Sequence, residues 1–327
     1  MSEWVKVISE TKIKEVLTPE DAIDQVEKTW KWYGMGDVIM PTKITLDMES
    51  IGVPGWMNSM PSYIKATDKA GMKWVGGFKE NPKQGKPFIR AKVFLADPRT
   101  GDLLAVVAGD WISDMRTGAQ PAIMAKYLAS KTDVVTIIGA GIQGYTTLLC
   151  MSKLLKMKEV RICDICPEAR QKMIERFADA PFKMVDCDNN EAACQESDII
   201  ITVTTANAVL VEEPWVKKGA IVITMGSFSE ISEDLIRKAD MRIVDHIGQA
   251  LHRGSFAEMA ARGEITEESF ATDMPTLVSG KHPGRTNPED RIIVSPIGMG
   301  APDAALAALA LERIEAAGIE VPMVDLT

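Results

Sequence analysis

In the first third of the chain, the pattern of hydrophobic and polar positions predicts one helix followed by several strands. Thr18 and Pro19 are typical of a helix N-terminus, and the apolar residues that follow at helical spacing predict an amphipathic helix over 19–34. From about 40–110, short alternating apolar runs are separated by Gly, Pro and Asp, which predicts strands of an antiparallel or mixed sheet. The segment 96–102 is predicted to be a hairpin turn between two of these strands.

The rest of the chain alternates predicted strands with predicted helices. A helix over 113–130 precedes a buried apolar strand at 134–138. The following predictions are a helix at 142–155, a strand at 159–163, a helix at 167–178, strands at 198–203, 220–224 and 242–245, and a last helix at 303–317. This alternation predicts an α/β fold with a Rossmann-type, doubly wound parallel sheet.

Composition and charge narrow the class of partner. The chain has 327 residues, a length that is more than one core usually holds, and 46% of the residues are hydrophobic. The net charge of −9, without a Lys/Arg cluster, argues against nucleic acid and anionic membranes as partners. Without a signal-peptide pattern or a membrane-length apolar run, we expect a cytoplasmic protein with reduced thiols. Cys163 and Cys166 form a CxxC without a second pair, so no metal site is predicted.

A glycine-rich turn carries the clearest chemical signal. The segment Gly139-Ala-Gly141-Ile142-Gln143-Gly144 directly follows a predicted strand and opens a predicted helix. In that context the first glycine permits a tight turn, the second lets a pyrophosphate approach the backbone, and the third lets helix and strand pack closely. Free N–H groups at the helix N-terminus would then bind the phosphates. The segment therefore predicts a dinucleotide-binding site.

The identity of the dinucleotide depends on the end of the next strand. Asp164 lies about twenty residues past Gly141, where a carboxylate accepts hydrogen bonds from the adenosine ribose and repels a 2′-phosphate. This favours NAD over NADP, although Arg170, in the next helix, could accommodate that phosphate. Polar or glycine residues at the carboxyl ends of other strands are further candidates for cofactor contacts: Thr204, Thr205, Gly226 and Ser227.

Two cations are candidates for the substrate side. Lys73 lies within an apolar predicted strand, and a cation in such a run needs an anionic partner. Arg116 could bind a carboxylate through two parallel hydrogen bonds. A partly desolvated lysine near a cofactor can also move protons near neutral pH. Alternatively, each cation pairs with a structural carboxylate such as that of Asp114.

Four motifs in this order resemble the ornithine cyclodeaminase/μ-crystallin family: Gly-Met-Lys73-Trp-Val, Met-Arg116-Thr-Gly-Ala, the glycine-rich turn with the isoleucine before it, and Gly298-Met-Gly-Ala-Pro-Asp303. The resemblance runs from about residue 18 to the end of the chain. It implies a substrate-binding and dimerisation domain of residues 1–120 plus 304–327, and an NAD-binding Rossmann domain of residues 121–303. It also implies a homodimer that acts on a small amino or imino acid.

The resemblance transfers to individual residues unevenly. Lys73 and Arg116 match the family's residues for the substrate carboxylate and are the candidate catalytic pair. Lys43 falls where the cyclodeaminase has an arginine that helps to bind the carboxylate. Asp303 matches an acid at the start of the last helix, which could be catalytic or could cap the helix.

Two aromatic residues depart from the cyclodeaminase pattern. Phe228 stands where that enzyme has its catalytic aspartate, and Phe88 stands where it has a pocket threonine. Glu230 could replace the missing aspartate. Because phenylalanine can neither hold an ammonium group nor take its proton, we expect simple hydride transfer, as in an amino-acid dehydrogenase or a cyclic imino-acid reductase. A cyclodeaminase that uses NAD catalytically and a μ-crystallin-like binding protein remain the alternatives.

Overall fold

The computed structural model describes residues 3–327 of the chain. It forms two compact units. Residues up to Arg116 together with Met299–Thr327 form the first unit, and Thr117–Gly298 form the second. The boundaries predicted from the sequence, at 120/121 and 303/304, lie a few residues later in the chain.

Both units contain strands and helices throughout their length. The strands are β1 Trp4–Ile8, β2 Val38–Ile39, β3 Ile44–Asp47, β4 Trp56–Ile64, β5 Lys69–Gly77, β6 Ile89–Ala96, β7 Leu103–Ala108, β8 Val134–Ile138, β9 Glu159–Cys163, β10 Lys183–Cys187, β11 Ile199–Thr202, β12 Ile221–Thr224, β13 Met241–Val244, β14 Thr272–Asp273, β15 Ile292–Ser295 and β16 Met323–Asp325. The helices are α1 Glu10–Val16, α2 Pro19–Met35, α3 Asp110–Leu128, α4 Ile142–Leu154, α5 Pro167–Arg176, α6 Asn190–Cys194, α7 Glu233–Lys238, α8 Ile247–Ala250, α9 Ala257–Ala261, α10 Met274–Val278 and α11 Ala301–Ala316.

The first unit is a mixed sheet with helices against it. Its strands lie in the order β16-β1-β7-β6-β5-β4-β2, with β3 on β4. β1 and β7 are parallel and the other pairs are antiparallel, which confirms the predicted mixed sheet. The predicted turn at 96–102 joins β6 to β7. Helix α11 packs on β4, β5 and β6 and also against α2. The C-terminal part of the chain therefore completes the core of the first unit.

Local signals explain where α2 begins and ends. Thr18 accepts a hydrogen bond from the backbone N–H of Asp21, whose side chain accepts one from the Thr18 N–H, so the two form a capping box. The helix ends at Gly36, whose φ of 86° is a conformation that glycine adopts without strain. Arg313 of α11 binds the Asp21 carboxylate through two hydrogen bonds of 2.5 and 2.7 Å, which joins the two helices.

The second unit is an entirely parallel sheet, as predicted. Its strands lie in the order β10-β9-β8-β11-β12-β15-β13-β14. The chain builds outward from β8 through β9 and β10, then crosses to the other side of β8 to continue with β11 and β12. Parallel sheets of this kind bind ligands at the carboxyl ends of the strands where the order reverses, here between β8 and β11.

The described part of the chain has neither a membrane-spanning helix nor a group of side chains that could hold a metal ion. Within residues 3–327, no helix is long and apolar enough to cross a membrane. The same residues contain no group of three or more His, Cys, Asp or Glu side chains placed to hold a metal ion. Cys163 is buried and Cys166 is exposed, and both are free thiols.

Candidate functional site

The glycine-rich turn connects β8 to α4 at the switch point of the parallel sheet. Gly139 has a φ of 117°, and a Cβ there would lie 2.5 Å from the carbonyl oxygen of Val203. A Cβ on Gly144 would lie 2.0 Å from the carbonyl oxygen of Gly139. A side chain at Gly139 would therefore push the turn away from the chain that follows β11, and one at Gly144 would push α4 away from the turn.

Gly141 differs from the other two glycines because nothing in the chain requires it. Its φ of −75° suits any residue, and a Cβ would meet no atom within 4 Å. It is the N-cap residue of α4 and has no side chain that could cap the first turn of the helix. The open space at this helix N-terminus fits a phosphate group.

Asp164 is fixed beside this turn. One carboxylate oxygen accepts a hydrogen bond of 2.7 Å from the N–H of Ala140, and the other accepts one of 2.9 Å from the N–H of Cys166. The first bond ties the end of β9 to the glycine-rich turn, and the second closes the loop that leads into α5. The carboxylate is therefore fixed at the end of β9, beside the glycine-rich turn.

The ends of β11 and β12 are joined by a side chain that the sequence offered only as a substitute for the missing aspartate. Glu230 is fully buried, and its carboxylate accepts hydrogen bonds from the N–H and hydroxyl of Thr204, at 3.1 and 2.5 Å, and from the N–H of Gly226, at 3.1 Å. Burial raises the pKa of Glu230. A Cβ on Gly226 would lie 2.3 Å from this carboxylate. Glu230 therefore holds two loops in place, while Thr205 and Ser227 are exposed.

The first unit holds a buried ionic cluster. Lys73, on β5, has no exposed surface, and its ammonium lies 2.7 Å from a carboxylate oxygen of Asp303 and 2.8 Å from the hydroxyl of Ser113. The other Asp303 oxygen lies 3.1 Å from Nε of Arg116, on α3. The carboxylate that pairs with both cations is therefore that of Asp303.

Close packing of α11 on the sheet brings Asp303 to Lys73. A Cβ on Gly71 would lie 2.8 Å from Cβ of Ala304, and a Cβ on Gly300 would lie 2.7 Å from Cβ of Met60. Both glycines let the start of α11 approach β4 and β5. The helix is capped by Gly300 without a side-chain bond, and Asp303 is its third residue. Its carboxylate therefore serves the cations and does not cap the helix.

Burial shifts the proton affinities in and around this cluster. Desolvation, helped by the nearby charge of Arg116, lowers the pKa of Lys73 to about 8, although the Asp303 carboxylate opposes both effects. Burial, with the charges of Asp110 and Glu10, raises the pKa of Asp114 to about 6. Lys73 is thus a buried amine that can exchange a proton near neutral pH.

The remaining predicted substrate residues lie outside this cluster. Lys43 directly precedes β3 and is partly exposed, and Phe88 directly precedes β6. Phe228 is 45% exposed, in the loop after β12 of the second unit. Ser113 was missed in the sequence, although it lies one helical turn before Arg116 and therefore on the same face of α3.

Comparison with known proteins identifies relatives over the whole chain. A family model described as the ornithine cyclodeaminase/mu-crystallin family matches residues 3–318. The alanine dehydrogenase of Archaeoglobus fulgidus is 28% identical over 312 residues, which cover 94% of this chain and 94% of that protein. These matches confirm the resemblance that the four sequence motifs indicated.

Solved structures agree with the fold. The Δ(1)-pyrroline-2-carboxylate reductase of Thermococcus litoralis, in complex with NADH and L-proline, gives a TM-score of 0.90 at 27% identity and covers 99% of this chain and 100% of that chain. An archaeal alanine dehydrogenase dimer with bound NAD gives a TM-score of 0.93 at 26% identity, with coverage of 99% and 100%. The predicted α/β fold class is confirmed.

Proposed function

The chain belongs to the ornithine cyclodeaminase/mu-crystallin family, and we propose that it is an NAD-dependent oxidoreductase of small amino and imino acids. In the reductive direction a C=N bond gains a hydride at carbon and a proton at nitrogen, which gives the amino acid or, for a cyclic imine, the cyclic secondary amine. The oxidative direction reverses both transfers. Relatives that are an alanine dehydrogenase and a pyrroline-2-carboxylate reductase support this reaction class.

The observation that carries the proposal is the buried cluster of Lys73, Arg116 and Asp303. Its two cations share one carboxylate, so the three side chains together carry an excess positive charge that suits the carboxylate of an amino acid. Arg116 would orient that carboxylate. Lys73, with its pKa lowered to about 8, would give a proton to the substrate nitrogen and take it back in the reverse direction. Asp303 would hold both cations in place.

The cofactor side requires less from the chain. Bound NAD would supply or accept the hydride. The N-terminus of α4, beyond Gly141, would hold its pyrophosphate, and Asp164 would accept hydrogen bonds from its adenosine ribose. Thr204 and Gly226 would contact the cofactor from loops that Glu230 holds together. Ile142, Gln143, Thr205 and Ser227 complete the set of proposed cofactor contacts.

The substrate class follows from the aromatic residues. Phe228 provides no carboxylate for a second amino group, and Phe88 offers only an apolar ring. Lys43 would add a second cation for the substrate carboxylate. We therefore favour a small 2-amino acid, or a cyclic imine such as pyrroline-2-carboxylate, over a diamine substrate such as ornithine.

A panel of substrates tests the function directly. Alanine, proline, pyruvate with ammonia, pyrroline-2-carboxylate and ornithine would each be mixed with the protein and NAD⁺ or NADH, while absorbance at the nicotinamide band and free ammonia are followed. We expect net NADH change with at least one amino or imino acid pair. Ammonia release from ornithine without net NADH change would identify a cyclodeaminase instead, and nucleotide binding without any turnover would identify a binding protein.

The activity should depend on pH in opposite senses in the two directions. Reduction needs protonated Lys73, whose pKa is lowered to about 8, so its kcat/KM should fall about tenfold per pH unit above that value. Oxidation needs the neutral amine, so its kcat/KM should rise as pH approaches 8 and then level off. Initial rates in both directions between pH 6 and pH 10 would show this. If kcat/KM changed with pH in the same sense for reduction and for oxidation, Lys73 would be excluded as the proton carrier.

An apolar sheet face supports a homodimer. Trp74 is 43% exposed on the side of β5 away from Lys73, and Met72, Phe94 and Val106 form a row of register partners on that same side. We propose that a second copy covers this face, as exposed apolar sheet faces are usually covered. With no membrane-spanning helix in residues 3–327, we place this dimer in the cytoplasm.

Substitution at this face should therefore change the oligomeric state. Trp74→Glu places a charge on this sheet face beside the apolar row. Because a charge is costly to bury, we expect light scattering to give the mass of one chain. Met35→Glu, at the exposed end of α2, provides a matched control and should keep the mass of two chains. A two-chain mass for Trp74→Glu would show that another surface forms the dimer.

A further inference from the structure

Two side chains with opposite cofactor preferences lie together at the end of β9. The carboxylate of Asp164 favours NAD, because it accepts hydrogen bonds from a ribose diol and repels a 2′-phosphate. A guanidinium at the same place would favour NADP, because it binds a phosphate through several charge-assisted hydrogen bonds. Arg170 provides such a group only a few residues along the chain. What Arg170 contacts therefore decides whether it is available to a phosphate.

Arg170 is engaged on two sides. The side chain leaves α5 and is only 8% exposed. Its Nε donates a hydrogen bond to the carboxylate of Asp186, on the neighbouring strand β10. Its Nη1 donates a hydrogen bond of 2.6 Å to the main-chain oxygen of Asp164. The guanidinium thus lies beside the proposed ribose site, but it is held there by the protein itself.

The charges around Arg170 oppose phosphate binding. Asp186 belongs to β10, and Asp188 follows directly after that strand. The hydrogen bond to Asp186 is the main cause of the raised pKa of Arg170, and the charge of Asp188 adds to it. Asp186 and Asp188 thus place two negative charges near this guanidinium, and Asp164 lies at the end of the neighbouring strand. Their combined negative charge would repel the additional phosphate of NADP.

We infer that Asp186 is a cofactor-specificity residue that acts through Arg170. By binding the guanidinium, it withholds from a 2′-phosphate the cation that lies next to Asp164. Asp186 is thus a positioning residue, since its effect depends on Arg170 and does not need contact with the cofactor. The inference rests on the proposed use of NAD. It implies that replacing Asp164 alone leaves NADP binding weak, because Arg170 remains paired.

Binding of NAD⁺ and NADP⁺ to the full chain tests this by calorimetry without any substrate. Three variants would be compared: D164S, D164S/D186A and D164S/D188A. The last is the matched control, because it removes the same charge from a residue that acts on Arg170 only through that charge. We expect D164S/D186A to bind NADP⁺ about tenfold more tightly than D164S/D188A, as a freed charge-assisted hydrogen bond would provide. D164S/D186A and D164S/D188A should bind NAD⁺ with equal affinity.

A further substitution identifies the group that binds. D164S/D186A/R170M should lose the gain in NADP⁺ affinity and keep NAD⁺ binding. Should D164S/D186A fail to fold, D164S/D186N retains a hydrogen-bond acceptor for Arg170 but not the charge, and a gain of smaller size is expected. Equal NADP⁺ affinities with and without the change at Asp186, in variants that still bind NAD⁺, would overturn this inference alone. An unsubstituted chain that binds neither dinucleotide would overturn the proposed function as well.

Discussion

Replacement of Lys73 by methionine is expected to lower kcat/KM for imine reduction by a factor of about 10³, within the range that a positioned acid or base contributes. Methionine matches the length of the lysine stem, so the space on β5 stays filled. The proton donor is lost, while Asp303 keeps Arg116 as its partner at 3.1 Å. Steady-state rates with the best substrate of the panel, at pH 7, would measure the effect.

The cofactor affinity of this variant separates chemistry from folding. Every proposed cofactor contact lies in the unit Thr117–Gly298, whereas Lys73 lies in the other unit. NADH binding to Lys73→Met should therefore stay unchanged. Lys69→Met, on the same strand but partly exposed, is the matched control and should retain full activity. A Lys73→Met variant with more than about a third of the original kcat/KM would show that another group carries the proton.

Arginine at this position makes a sharper distinction. Lys73→Arg keeps the positive charge but does not release its proton in the accessible pH range. If Lys73 only binds the substrate carboxylate, this variant should affect mainly KM. If it also transfers the proton, kcat should fall by nearly as much as in Lys73→Met. We expect the second result, because the lowered pKa of Lys73 suits a group that exchanges protons.

The cofactor turn was predictable from sequence because its motif is local. A strand, three glycines and a helix N-terminus lie within 134–144, although the close approach that requires Gly139 involves Val203 from outside this segment. Asp164 was predictable for a similar reason, since one strand–helix–strand unit fixes its distance from the turn. The partners of Arg170 were not predictable, because Asp186 belongs to a further strand whose place in the sheet the sequence does not state.

The substrate cluster shows the limit of reading a sequence without its fold. Lys73 and Asp303 are far apart in the chain, and only the packing of α11 on β5 brings them within 2.7 Å. The sequence indicated that Lys73 needs an anion but suggested Asp114 as an example and not Asp303. Gly71 and Gly300, which permit the close packing, look like ordinary turn or strand glycines until the helix position is known.

Missed strands have two different causes. β1 and β16 are short and pair with each other at the edge of the first sheet, so their regularity depends on a partner from the opposite end of the chain. β15 was missed although Ile292–Ser295 has the same apolar pattern as the predicted strands of its sheet. In that case the local signal was present.

Asp303→Asn is expected to destabilise the protein by about 3 kcal/mol, because it leaves two buried cations without their shared carboxylate. The side chain of Asp303 has no exposed surface, so water cannot replace the lost charge. Denaturant unfolding of the full chain would measure the loss. Asp24→Asn provides the control: it removes an exposed ion pair with Lys28 on α2 and should change the free energy of unfolding by less than about 0.5 kcal/mol.

The pH profile of Asp303→Asn distinguishes a functional effect from a structural one. The Asp303 charge raises the pKa of Lys73 against the effects of burial and Arg116, so its removal must lower that pKa below about 8. The pH above which the rate of reduction declines should therefore be lower in this variant, and activity should fall more at pH 8 than at pH 6. A purely structural loss would reduce activity by the same factor at both pH values. If the pH above which reduction declines were unchanged, Asp303 would not set the proton affinity of Lys73.

The double variant Lys73→Met/Asp303→Asn tests whether the two side chains stabilise the protein as a pair. If the two side chains act as a pair, the loss of stability in the double variant should be smaller than the sum of the two single losses, because one of the unpaired cations has been removed. Arg116 would remain as a buried cation, so the recovery should be partial. Simple additivity would mean that the 2.7 Å contact between Lys73 and Asp303 contributes no coupling energy, and that each residue acts independently.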